Sequence, residues 1–259
     1  HDLGEVYIDP RHGEADAGRT LDFTSYQQLV VHPHVGRLLL SQLTNYPAPL
    51  ARAVAEHHER GDGSGYPHAL QRDALSPLGR LLAVTEATLA VLRGPHPCLA
   101  RASVALRVVP GEFDLHFVGR ISAAARGEPA PQPACDAATV QQRLAQLDAS
   151  LLSTQAAAGT VLDGTESAAL RDAVGLASHL LSRLRAGWFA SGLWSPEAAA
   201  DLDLVEADAV EQELSHRLHA IERAARLRAG ELQAADAQRL EVLCSSLRWA
   251  GPGFCRAAS

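Results

Sequence analysis

The chain has 259 residues, 47% of them hydrophobic and 20% charged, with a formal net charge of −7; this suits one large or two modest globular domains, each able to bury a core. The acidic balance excludes a nonspecific DNA or RNA binder, which needs basic surface to displace counterions from phosphates. No apolar run approaches the roughly 18 residues that span a bilayer, so no membrane partner is expected. Nor does a charged leader with a short apolar core open the chain. Cys98, Cys135, Cys244 and Cys255 are scattered and form no CxxC pair, as in a cytoplasmic protein kept reduced rather than a disulfide framework. All 23 basic residues are Arg, Met is absent and the first residue is His1; the chain is therefore expected to be part of a longer protein.

In chain order, Tyr26 to Leu43 and Leu50 to Arg60 carry apolar residues at helical spacing, and Ser76–Pro77 opens a third helical run, Leu78 to Leu92; a serine cap followed by proline in the first turn is a strong helix start. Gly127 to Pro133 is proline-rich and cannot continue a helix, which predicts a linker over residues 128–135. Beyond it the pattern predicts about four helices, over 136–157, 166–189, 196–228 and 231–249, with breaks near Gly159, Gly164, Ser195 and Gly230. Strand signals are weak and do not alternate with helices, so the fold class is all-α. The halves differ in composition: residues 1–127 hold 12 Arg against 13 acids and nine of the 12 His, while residues 128–259 hold 11 Arg against 17 acids. Two domains are expected, 1–127 and 136–259.

The densest chemistry lies at His57, His58, Glu59, Arg60, Gly61, Asp62, Gly63, Ser64, Gly65, Tyr66 and Pro67, where a helical run meets a glycine-rich turn. Neutral imidazole is a common ligand for Fe, Mn and Zn, and two neighbours at a helix end can serve two metals of one cluster. His1–Asp2 pairs an imidazole with a carboxylate able to bridge. His32 and His34 open an apolar helix, and Glu86 sits in an almost wholly apolar one, where a carboxylate needs a partner. In the second half, Glu213, His216 and His219 share a helical face; polar residues at this spacing usually form a solvated surface, though a metal is possible in principle. Trp188, Phe189 and Trp194 read as core or packing anchors. The long stretch 196–228 suits either an intramolecular bundle or a homodimer interface, which amphipathicity alone does not separate.

Taken together, residues 1–118 resemble the HD-GYP family, a subgroup of the HD-domain metal-dependent phosphohydrolases linked to cyclic di-GMP breakdown in bacteria. HHERGDGSGYP at His57 to Pro67 matches the family's HHE-x-x-DG-x-GYP signature at every named position. HDLG at 1–4 resembles the HD signature, and HPHVG at 32–36 resembles HP-x-x-G, with His32 the expected ligand and His34 the backup. SPLGRLLAVTEA at 76–87 is similar to the helix that delivers the last carboxylate, and GEFDLHFV at 111–118 to the segment that closes the domain.

The resemblance implies a helical HD-domain bundle whose N-terminal part is missing here, and divalent metal ions, two or more, with Fe or Mn favoured. His1, Asp2, His32, His57, His58 and Glu86 would ligate them. Gly65, Tyr66 and Pro67, with Arg60 and Asp62, would shape the binding of a cyclic dinucleotide or other nucleotide phosphodiester, and the reaction would be metal-assisted hydrolysis by a metal-bound water. A metal cluster also explains how an acidic chain binds an anionic substrate. Four departures stand out; one is that the family's fuller metal sites draw ligands from a helix before the HD pair, where this sequence starts at His1. Glu5 replaces the usual Lys after HD-x-G, which repels phosphate instead of reaching it. Glu86 replaces the usual Asp, and only Arg93 and Arg101 supply positive charge downstream. The enzyme is the preferred reading. The alternative is a catalytically degenerate relative acting as a nucleotide sensor or protein-interaction module.

Overall fold

A computed structural model of the chain describes residues 1–8, 29–93, 97–128, 136–191, 204–230 and 232–248. Among these residues the regular elements are helices; no strand forms, and an isolated β-bridge joins Asp62 and Gln71. The chain falls into two units, one of His1–Arg107 with Gly111–Gly127, the other of Val108–Pro110 with Glu128–Ser259.

The first unit opens with a 3₁₀ turn, Asp2–Tyr7, followed by α1 (His32–Leu43), α2 (Ala48–Glu56), α3 (Pro77–Leu92), α4 (Leu99–Ala105) and α5 (Leu115–Ala125). Local chemistry sets the starts. Ser76 Oγ accepts from the Gly79 N–H at 3.0 Å with Pro77 at the first helical position, and Asp114 caps α5 through the His116 N–H at 2.9 Å; such caps satisfy donors that the first helical turn leaves open. Ala83 and Val84 of α3, Leu106, Phe113 and Val118 of α5 form a buried core, flanked by Ala87, Phe117 and Ile121. The 3₁₀ turn packs on the start of α1, where a Cβ on Gly4 would lie 2.0 Å from the His32 carbonyl oxygen. Only glycine fits that approach.

Three sequence expectations change here. The helix predicted from Tyr26 begins at His32, with residues 26–28 outside the described set. The helix predicted to Arg60 stops at Glu56, because the Glu59 N–H turns back to the Glu56 carbonyl at 2.9 Å and the chain enters the glycine-rich segment. Helices α4 and α5, short and weakly patterned, were not separated in the sequence reading.

The second unit is built of α6 (Ala137–Asp163), α7 (Ala168–Ser191), α8 (Leu204–Ala229) and α9 (Ala234–Leu247). Leu147 and Leu151 of α6, Leu170, Leu181, Leu184 and Trp188 of α7, Leu214 and Leu218 of α8, and Leu243 and Leu247 of α9 are fully buried together. The indole N–H of Trp188 donates to Asp148 at 2.9 Å, and a buried Arg143–Glu211 ion pair at 2.7 Å ties α6 to α8. Gly159 does not break α6, which continues to Asp163 and ends at Gly164. A lone helical glycine costs about 1 kcal/mol, and the buried Leu147, Leu151 and Ala158 hold the helix through it. Trp194, the linker residues 129–135, residues 196–203 of the predicted third helix and Trp249 lie outside the described residues. None of the described helices is long and apolar enough to cross a membrane.

Candidate metal centre

The start of α1, the end of α2 and the 3₁₀ turn bring His32, His57, His58 and Asp2 together, one ligand atom from each lying within 4.8 Å of the others. His32 and His57 are completely buried and His58 nearly so. Their orientation is set by backbone. The Nδ1–H of His32 donates to the Leu29 carbonyl at 2.7 Å, and that of His57 to the Val54 carbonyl at 2.6 Å. A carbonyl can only accept, so each ring carries a proton on Nδ1 and turns its Nε2 toward the cluster.

Those two Nε2 atoms face each other at 3.1 Å. Two imidazole nitrogens at hydrogen-bond distance repel unless a proton or a cation lies between them, and Nδ1–H donation to a carbonyl is the usual arrangement behind a metal-ligating imidazole. The Asp2 Oδ1 adds negative charge at 3.5 Å from His57 Nε2 and 3.9 Å from His32 Nε2.

A second group adjoins the first. His1 Nε2 lies 3.0 Å from Asp2 Oδ2 and 2.5 Å from the Glu86 carboxylate, and His1, Asp2 and Glu86 again have ligand atoms within 4.8 Å of one another. Asp2 thus belongs to both groups, with one oxygen toward each. Imidazole and carboxylate donors of this mix suit Fe, Mn or Zn. All six residues expected as ligands from the sequence fall into these two groups. The backup, His34, does not: its ring stands 6.2 Å from that of His68.

The turn after His58 is held by side chains whose roles the sequence did not reveal. Glu59, 1% exposed, accepts the His68 N–H on one oxygen at 2.7 Å and the Leu70 N–H on the other at 2.8 Å. Burial raises its carboxyl above the usual range, opposed by these two N–H groups. Tyr66 lies on the His58 ring, 4.6 Å between centroids and 19° from parallel. A Cβ on Gly65 would meet backbone atoms of Arg60, Glu59 and His58 at 2.4 to 2.5 Å. The other substrate candidates have local partners. Arg60 donates to the His57 and Glu59 carbonyls, faces Glu112 at 3.4 Å and lies over the Phe113 ring; Asp62 closes an Asx turn on Ser64. Glu5 sits in the 3₁₀ turn beside the centre.

Glu56 was also missed. It is buried at the end of α2, accepts the N–H and hydroxyl of Ser76 at 2.8 and 2.6 Å, and pairs with Arg52 at 2.6 Å. It thereby fixes the start of α3, the helix that carries Glu86. An acid three residues before a buried acid gave the only sequence hint, and periodicity cannot rank the two. In the second unit, Glu213 pairs with Arg217 at 2.6 Å and His219 bonds the Ser215 carbonyl at 2.8 Å; among the described residues they join no group able to hold a metal.

Residues 14–109 match the family model described as HD domain. The match takes in His32, His57, His58 and Glu86, while His1 and Asp2 lie before its start. No curated protein and no solved structure gives a match. This segment is thus similar to HD domains, and the first unit holds a His/Asp cluster that could bind a metal ion.

Proposed function

We propose that the first unit is an HD-GYP-type phosphodiesterase that holds two divalent ions, Fe or Mn, and hydrolyses cyclic di-GMP or a related nucleotide phosphodiester. The observation that carries this reading is the buried group of His32, His57, His58 and Asp2, whose ligand atoms lie within 4.8 Å of one another, with Nδ1 of His32 and His57 directed to carbonyls. His32, His57, His58 and Asp2 would hold one ion, and His1, Asp2 and Glu86 the other. Such ions, when bound, polarise phosphoryl oxygens and make water a nucleophile near neutral pH.

The chain's own residues do the rest. Asp2 ties the two groups together through its two oxygens. The buried rings of His32 and His57 keep bulk water from the inner side, and the carbonyls of Leu29 and Val54 prevent either ring from flipping to offer a proton. Tyr66, held on His58, and the neighbouring Gly65 and Pro67 form a wall suited to a nucleotide, while Arg60 and Asp62 support that wall through the turn. In this reading the protein works in the cytoplasm, and helices of the second unit pair two copies.

The test is hydrolysis of cyclic di-GMP by protein prepared without oxygen and supplied with Fe or Mn. Turnover that vanishes in the His57→Ala, His58→Ala double variant supports the reading; metal-loaded protein without turnover removes it. A second reading rests on Glu5, an acid in the turn that carries Asp2, where it disfavours a phosphate. If the chain binds the dinucleotide but does not cleave it, it is a sensor. Glu5→Lys separates the two: the enzyme gains turnover, whereas the sensor gains affinity alone.

A further inference from the structure

Two buried acids flank the His57–His58 pair, and they serve different segments. Glu56 holds the start of α3 through the N–H and hydroxyl of Ser76, and that helix carries Glu86. Glu59 holds the chain beyond Pro67: one carboxylate oxygen accepts the His68 N–H at 2.7 Å and the other the Leu70 N–H at 2.8 Å. Glu59 belongs to neither group of candidate metal ligands.

The backbone bends to make this clamp. Between the two N–H groups that converge on Glu59 lies Ala69, whose φ of +52° is shared by no other non-glycine residue among those described. A residue with a Cβ seldom adopts this left-handed conformation unless its surroundings hold it there. Just upstream, Pro67 has no N–H to donate, so the segment is pinned on either side of it. The Tyr66 N–H donates to the His58 carbonyl at 3.1 Å, and the His68 N–H to Glu59. Tyr66 is thereby laid on the His58 ring, with 4.6 Å between centroids.

We propose that Glu59 is a positioning residue for substrate: its carboxylate holds Tyr66 and Pro67 in place as the wall on which a nucleotide base rests, without setting the metal ligands. His32 and His57 are fixed independently by the Leu29 and Val54 carbonyls, and Glu86 by the helix that Glu56 anchors. The two acids therefore divide the site, Glu56 acting on metal retention and Glu59 on substrate affinity. The effect on substrate rests on the nucleotide reading above, whereas the hold on Tyr66 does not.

The experiment labels the intact chain with 3-fluorotyrosine; its four tyrosines give four fluorine lines, recorded before metal is added, and Tyr66→Phe identifies the Tyr66 line by its loss. Mn content per chain, and KM and kcat for cyclic di-GMP, are measured on the same proteins after loading. In Glu59→Gln the amide turns a donor toward one of the two N–H groups. The Tyr66 line is then expected to lose the shift that the His58 ring imposes on it, and KM to rise about tenfold, as for a wall aligned about a tenth of the time, with kcat and Mn content unchanged. Glu56→Gln is expected to do the reverse, lowering Mn content and leaving the Tyr66 line in place. Where Glu59→Gln does not fold, Glu59→Asp, one methylene too short to reach both N–H groups, replaces it and is expected to act in the same direction. A Tyr66 line that stays put in the Glu59 variants, or that Glu56→Gln moves as far, overturns the proposal, as does a loss of Mn in Glu59→Gln with KM unchanged. A wild type that takes up Mn without turnover overturns the enzyme reading instead and leaves the Tyr66 line to decide the clamp.

Discussion

Gly65→Ala tests how tightly the turn after His58 is built. The three nearest atoms to the added methyl would be the Arg60 nitrogen at 2.4 Å, the Glu59 Cα at 2.4 Å and the His58 carbonyl oxygen at 2.5 Å. All are backbone, so no side chain can swing aside, and the turn must move by about 1 Å to restore ordinary contact. Overpacking of this kind costs about 1–3 kcal/mol. The displacement also pulls the His68 and Leu70 N–H groups from Glu59, and losing one hydrogen bond to a buried charged group adds about 1.5–3 kcal/mol. The sum is about 2.5–6 kcal/mol, which for a domain of this size lowers the unfolding midpoint by about 10 °C or more.

Gly63→Ala is the comparison. There the need is conformational, φ +81°, with open room for the methyl, whose nearest neighbours stand at 3.6 Å, so the cost is about 1–2 kcal/mol. Thermal unfolding followed by circular dichroism and calorimetry ranks the two. A Gly65→Ala protein no less stable than Gly63→Ala refutes the argument that space, rather than backbone conformation, fixes glycine at position 65.

Glu56→Gln keeps the shape of the side chain but turns one acceptor into a donor facing the Ser76 N–H; urea unfolding should show a loss of about 2–3 kcal/mol, together with weaker metal binding because α3 carries Glu86. The Cys244 thiol is pushed up to about 12 by burial, so mass-resolved alkylation of the native protein at pH 8 should leave it unmodified, with reaction appearing only on unfolding. Burial works against ionisation of Glu222, yet hydrogen bonds from Arg248 and Arg226 outweigh it and hold the carboxyl below its usual value. A depressed carboxylate contributes stability that is present above the unfolded value near pH 4.5 and is lost as the pH falls through the folded one. Glu222→Gln should therefore flatten the acid limb of the stability profile, read by urea unfolding at pH 3 to 6.

The residues of the two clusters were legible because their types are unusual in their surroundings: adjacent His57 and His58, a lone Glu86 in an apolar helix, and an HD pair. The all-α class was legible from periodicity and caps, and Ser76–Pro77 located the start of α3 to the residue. What the sequence could not carry is geometry between segments. Nothing in residues 26–60 says that Leu29 and Val54 offer the carbonyls that fix two imidazole tautomers, since every residue has a carbonyl. Nor does a buried acid announce whether it joins a histidine cluster, as Glu86 does through His1, or holds a helix start, as Glu56 does at Ser76. Gly159 misled for a related reason: glycine breaks an isolated helix, but the leucines packed along α6 decide the matter in the folded unit.

The central claim is that a cation lies where the Nε2 atoms of His32 and His57 meet. Metal content of protein purified without oxygen, measured by mass spectrometry per chain with the His57→Ala, His58→Ala variant alongside, tests it most directly. The account predicts two Fe or Mn ions per wild-type chain and the loss of at least one in the variant. A wild-type protein that remains metal-free in excess Fe and Mn, with a single proton shared between the two rings by nitrogen NMR, would contradict it.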